Sequence, residues 1–106
     1  MPFINLSNIE EKEKLPGFKA RMIHSDNMTF SFWNIKGGSA LPAHAHIHEQ
    51  ITIVTKGSFE LTVDGEAHVM KPGTAFIIPA NIPHSGNAIV DSEVIDAFYP
   101  VREDFK

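Results

Sequence analysis

Apolar and polar positions along this chain change over short distances, with a breaker between almost every pair of apolar runs. Phe18–His24, Met28–Ile35, Gln50–Thr55, Phe59–Val63, Ala67–Met70, Ala75–Ile78 and Val94–Phe98 read as strands. Phe30 and Phe32 suggest alternation, and Ile51 and Ile53 alternate with Thr52 and Val54, the two-residue period of pleated sheet. Turn signals such as Leu15-Pro16-Gly17, Lys36-Gly37-Gly38, Lys56-Gly57, Lys71-Pro72-Gly73 and Gly86-Asn87 recur at the spacing of a sandwich or barrel. Val63-Asp64-Gly65 predicts a tight hairpin, because Asp-Gly tolerates the positive φ values of a type I′ turn. Asn8–Lys14 reads either as a helical turn ended by Pro16 or as a solvated charged loop. About nine short antiparallel strands leave a sandwich, a jelly roll or a small barrel.

Composition strengthens the all-β reading. The chain has 12 Ile and 6 Val against 4 Leu, and branched side chains fit pleated sheet better than helix. A length of 106 residues with 42% hydrophobic content suits one domain with a real core. Nine basic against 13 acidic residues give a net charge of −4. That balance argues against nucleic acid and anionic membranes as partners, since both need clustered Lys and Arg. The N-terminus lacks the pattern of a secretory signal, no run is long enough for a membrane helix, and a cytoplasmic protein is the expectation.

The chain has no cysteine and six histidines. Thiolate metal sites, iron–sulfur clusters and cysteine nucleophiles are therefore excluded, and a metal site must use imidazole and oxygen ligands. His44 and His46 are two apart, so an extended strand would present both imidazoles on one face. His84 follows Pro79 and Pro83, which hold the backbone extended and suit a strand beginning at His84. The competing reading is a His-rich surface strand, or histidines satisfied by hydrogen bonds in a core. His24 and His68 stand outside any motif and read as partly exposed strand residues.

Gly38, His44, His46 and Gly57 fall in the register of the first cupin motif, Gly-x5-His-x-His-x(3,4)-Glu-x6-Gly. Pro79 and His84 match the second, although Asn81 holds its glycine position and Asn87 falls one residue short of its asparagine. The chain thus resembles the cupins over Gly38–Asn87, about half its length. The resemblance implies a jelly-roll barrel, the cupin double-stranded β-helix, over residues 1–106, with 1–27 as an extra strand or dimerisation segment. It also implies a metal held by His44, His46, His84 and the residue at the glutamate position.

That residue is Gln50, a neutral carbonyl donor that leaves the ion its full charge and a stronger Lewis acid. Glu49 is the rival, but it should point to the opposite face of a regular strand. His48 shares the parity of His44 and His46, yet the chain is expected to bend between His46 and Gln50. His48 is then expected to line the pocket or support a ligand. Nickel, zinc, manganese, cobalt and iron all suit three imidazoles and an amide oxygen.

Asp96 and Phe98 share a strand face, Pro100 stops the strand, and Arg102 follows in a loop. Around a metal cup, Asp96 can shuttle a proton, Phe98 can pack on a sugar and Arg102 can hold a carboxylate through a bidentate fork. Alternatively, Arg102, Glu103 and Asp104 form a surface ion network closing the barrel end. The Asp96–Phe105 ending and the His44–Gln50 run are similar to pectin-degradation cupins of the KdgF type. That resemblance implies a metal-dependent enzyme opening 4,5-unsaturated uronates to linear 5-keto-4-deoxyuronate, with Asp96, Phe98 and Arg102 in the active site. An iron-dependent dioxygenase and a non-catalytic sugar-binding or sensor protein are the alternatives. Because the net charge is negative, attraction for an acidic sugar must be local. The apolar surface of Phe18–His24 and Phe30–Trp33 exceeds what a small barrel interior absorbs, and a homodimer is expected to cover it.

Overall fold

The computed structural model describes all 106 residues. Ten strands follow in order: β1 (Lys12–Leu15), β2 (Phe18–His24), β3 (Thr29–Ile35), β4 (Ala40–His44), β5 (Glu49–Lys56), β6 (Phe59–Val63), β7 (Glu66–Met70), β8 (Thr74–Ile78), β9 (His84–Ala88) and β10 (Ser92–Tyr99). Short 3-10 turns stand at Leu6–Asn8 and Glu103–Phe105. No helix is long and apolar enough to cross a membrane. A six-stranded sheet in the order β1-β2-β3-β10-β5-β8 packs on a four-stranded sheet in the order β4-β9-β6-β7, with antiparallel pairing throughout. This is the jelly roll that the branched residues and turn spacing lead one to expect.

The elements follow from local chemistry. Asp64 and Gly65 have φ values of 50° and 79° and join β6 to β7 with Val63 opposite Glu66, the tight turn anticipated from Asp-Gly. Asn8–Lys14 is neither a helical turn nor a free loop. Its second half enters β1 and pairs with β2 through Lys12 opposite Ala20. The Lys-Glu-Lys run is thus the charged edge strand of the sheet, a placement that discourages pairing with other chains. Residues 1–27 accordingly contribute two strands, not one.

Strand register explains the position of the cavity. Inward rows of the larger sheet run Ala20–Trp33–Val94–Val54, then Met22–Ser31–Asp96–Thr52, then His24–Thr29–Phe98–Gln50. The first row joins an apolar plug built from Phe18, Ile35, Phe59, Leu61 and their neighbours, with Phe18 edge-on to Phe59 at 6.3 Å between ring centroids. The next two rows are polar apart from Met22 and Phe98, and Thr29, Ser31, Thr52 and Gln50 are nevertheless buried. A chemically active chamber therefore replaces core at one end of the barrel. The outward rows are the reverse. Ile23–Phe30–Ala97–Ile51–Ile77 and Phe32–Ile95–Ile53–Ala75 cross the sheet on its outer face. Phe18 and Ala20 point inward, so the apolar outer surface comes from the second half of β2 and from β3, β10, β5 and β8.

Gly57 closes the turn between β5 and β6 at φ +86°, and a Cβ there would run into the Asp91 carbonyl and lie 2.5 Å from Ser92 Oγ. Gly57→Ala should destabilise the protein by about 1–3 kcal/mol, read as a lower denaturant midpoint. An unchanged midpoint would contradict this reading of the turn.

Candidate metal centre

His44 ends β4 and lies directly opposite His84, the first residue of β9, so the two rings meet with centroids 4.3 Å apart. His46 lies beyond the strand, where the chain runs toward a bend at Ile47 and His48. It reaches the pair from the loop, with its ring 5.5 Å from His44 and 4.8 Å from His84. The strand-face geometry expected for His44 and His46 is thus replaced by a strand end plus a loop. The loop is tied by the Asn81 N–H, which donates to the His46 carbonyl at 2.7 Å. Asn81 has φ +64°, so asparagine fills a left-handed position for which glycine is the usual residue.

One ligand atom from each of His44, His46 and His84 falls within 4.8 Å of the others. The three rings are also set in one tautomer. Each Nδ1 faces a backbone carbonyl, of Pro42 at 3.1 Å, His48 at 3.0 Å and Ile82 at 2.9 Å respectively. A carbonyl only accepts, so each Nδ1 carries the proton and each Nε2 turns its lone pair toward the cluster. Nε2 of His84 is buried without a hydrogen-bond partner. Nε2 of His46 stands 3.1 Å from the Gln50 amide oxygen, two acceptors aimed at one region. A cation resolves both conditions, and these residues can hold a divalent metal ion.

Electrostatics keep the site in that state. Burial, Arg102 and His84 hold the His46 pKa down at about 4, and burial above all lowers that of His84. Both imidazoles are neutral at pH 7. Gln50 is 7% exposed and faces the cluster, whereas Glu49 is on the exposed face of β5. His48 lies outside the three-ring cluster. Its carbonyl fixes His46 while its own ring is buried edge-on to His46 and Phe98. His24 bonds Thr29 Oγ1 at 2.8 Å, and His68 lies at the surface 3.2 Å from Glu66.

The cluster opens on a cavity of about 460 Å³ whose lining includes His44, Gln50, His84, Asp96, Phe98 and Arg102. Asp96 is half-buried in that lining, and burial raises its carboxyl pKa from 3.8 to about 6 despite hydrogen bonds that oppose the shift. Thr52 Oγ1 donates to Asp96 Oδ1 at 2.7 Å. Arg102 is 7% exposed, with its guanidinium carbon 4.7 Å from the Phe98 ring centre and 3.8 Å from that of Phe105. Its Nε and Nη2 already donate to Asp104 at 2.9 and 2.7 Å. The fork expected to be free for a substrate carboxylate is therefore taken, and only the Nη edge remains. The ion pair expected at the surface exists, but Arg102 itself is buried within it. Lys14, Trp33, Thr52 and Phe105 also line the cavity. Sequence reasoning missed these four. For Thr52 a signal was available, since Gln50-Ile-Thr52 places two polar side chains on one strand face.

The raised Asp96 pKa has a testable consequence for stability. The folded-state value lies above the unfolded one, so the stability this carboxyl contributes is complete below pH 3.8 and is lost as pH rises through 6. In metal-free protein at pH 7.5, Asp96→Asn should raise stability by up to about 3 kcal/mol, and the gain should fade toward pH 4. A pH-independent difference, or a loss at pH 7.5, would refute the assignment.

The profile described as "Cupin domain" matches residues 31–95. The "Pectin degradation protein KdgF" of Dickeya dadantii (strain 3937) is 35% identical over 92 residues, covering 84% of each chain. The structure of KdgF from Halomonas sp. superposes with a TM-score of 0.93 at 29% identity, over 100% of this chain and 99% of that one. An RmlC-like cupin from Shewanella frigidimarina gives a TM-score of 0.93 at 28% identity, over 98% and 95% of the two chains. With the two-motif histidine cluster at the mouth of a ten-stranded jelly roll, these matches establish that the chain belongs to the cupin family.

Proposed function

We propose that this chain opens the ring of 4,5-unsaturated uronates, the acidic sugars released when lyases cleave pectin or alginate, to give linear 5-keto-4-deoxyuronate. The observation that carries the reading is a three-histidine cluster with Gln50, opening on a cavity that also holds a carboxyl with a pKa of about 6. The 35% identity to a pectin degradation protein over most of both chains supports it. The reaction is an isomerisation. The C1 hydroxyl loses its proton, the C1–O5 bond breaks, C5 becomes a ketone, and C4 gains a proton. No external oxidant or reductant enters.

Asp96 is the group to take the first proton and return one to C4, because its pKa lets it exchange protons near neutrality. A divalent ion bound by His44, His46, His84 and Gln50 would supply Lewis acidity toward substrate oxygens with no change of oxidation state. Phe98 offers an apolar floor for the sugar. The free Nη edge of Arg102 and the unpaired Lys14 supply local positive charge for the C6 carboxylate. Stacking between Phe98 and Phe105 makes Arg102 a fixed contact that needs no reordering on binding. A cytoplasmic place of action belongs to the same reading.

The test is loss of the ultraviolet absorbance of the conjugated double bond when metal-loaded protein meets unsaturated uronate. Acceleration over the spontaneous rate is expected, falling at least about a hundredfold for Asp96→Ala and tenfold or more for Arg102→Ala. No acceleration by fully metallated protein would sink the enzyme reading. Oxygen uptake with a phenolic substrate would favour a dioxygenase instead.

The outer rows Ile23–Phe30–Ala97–Ile51–Ile77 and Phe32–Ile95–Ile53–Ala75 support a homodimer packed through this sheet face. Phe30, Ile51, Ile53 and Ile77 on these rows are exposed in the single chain. Light scattering should give twice the chain mass, and Phe30→Glu with Ile51→Glu should give the monomer. A monomeric unsubstituted protein would exclude the dimer.

A further inference from the structure

Thr52 occupies the middle of β5, 3% exposed, and its hydroxyl joins two residues with different tasks. Its Oγ1 donates to Asp96 Oδ1 at 2.7 Å and accepts from Gln50 Nε2 at 2.8 Å. A hydroxyl has one proton to give, and an ionised carboxylate can only accept. The proton therefore goes to Asp96, and the oxygen of Thr52 must receive a donor from Gln50. That donor is the amide NH2 group, so the amide oxygen is left facing His46, 3.1 Å from its Nε2. The two ends of an amide are nearly the same size, and nothing steric prevents a half-turn. Turned round, Gln50 would satisfy the His46 lone pair with an N–H and would have no lone pair for a cation.

We propose that Thr52 is a positioning residue that holds the Gln50 amide oxygen toward the three histidines, its own hydroxyl directed by Asp96. The need arises because the cupin motif places glutamate where this chain has Gln50. A carboxylate presents oxygen whichever way it turns, whereas glutamine has a wrong way round. Thr52 removes the wrong orientation at no cost in charge, and the same hydroxyl ties the metal centre to the proton-shuttling carboxylate. The inference rests on the metal reading of His44, His46, His84 and Gln50.

Calorimetric titration of metal-free protein with Ni²⁺ alone tests it, with no substrate involved. Thr52→Val, which keeps the shape and removes the hydroxyl, should weaken Ni²⁺ binding about tenfold or more, the usual effect of losing the group behind a ligand. Thr52→Ser should restore affinity to within about threefold of the unsubstituted protein. In a Gln50→Glu background, Thr52→Val should change affinity by less than about threefold, because no amide remains to be oriented. Unchanged Ni²⁺ affinity in Thr52→Val overturns the proposal while leaving the metal site intact. An equal loss in both backgrounds also overturns it, since the hydroxyl would then act through general packing. If the unsubstituted protein takes up no Ni²⁺, nor Mn²⁺ or Zn²⁺, the metal reading falls and the proposal with it.

Discussion

A line of hydrogen bonds from His46 through Gln50 and Thr52 to Asp96 governs the working end of this barrel. Gln50 and Thr52 in it are buried and His46 and Asp96 half-buried, and a buried polar atom without a partner costs roughly 1–3 kcal/mol. Inside the line each donor meets an acceptor, with one deliberate exception at the His46 end, where two acceptors converge. The line thus stores its unmet valence at one place, the place where the three imidazole lone pairs also point. The rest of the structure is arranged so that this exception persists. Backbone carbonyls set the tautomers of His44, His46 and His84, and the Asn81 turn holds the loop that bears His46.

The scaffold accepts this polar row because the apolar work is done elsewhere. The plug around Phe18, Ile35, Phe59 and Leu61 forms the apolar side of the same cavity. Phe98 and Phe105 clamp Arg102, and Asp104 neutralises it, so that a guanidinium can be buried without leaving an unpaired charge. The same division of labour puts aliphatic residues on the outside of the large sheet. Ile51 and Ile53 face outward because Gln50 and Thr52 are needed inward, and strand parity allows only one of the two arrangements.

Much of this was legible in the sequence, for physical reasons that can be named. The excess of β-branched residues, the regular turns and the Asp64-Gly65 pair point to a jelly roll, and the chain is one. Pro79 and Pro83 before His84 do precede a strand that starts at His84. The bend between His46 and Gln50 lies where parity makes a fourth inward histidine awkward. What could not be read is whatever depends on cross-strand neighbours. β1 looks like a charged loop, since an edge strand needs only a partner for its backbone and Lys-Glu-Lys carries no apolar period. The parity of Gln50 and Thr52 marks a shared polar face, but that Thr52 meets Asp96 there follows only from strand register. The pairing of Arg102 with Asp104 depends on the chain turning at Glu103–Phe105 straight after an extended Arg102, which returns the Asp104 carboxylate to the guanidinium.

Elemental analysis of protein purified without added metal or chelator tests the central claim most directly, alongside the same measurement on His84→Ala. One divalent transition-metal ion per chain is expected, falling to a small fraction when His84 is replaced and the barrel still folds. Metal absent from the native protein even after reconstitution, or retained in full by His84→Ala, would contradict a centre built on His44, His46 and His84.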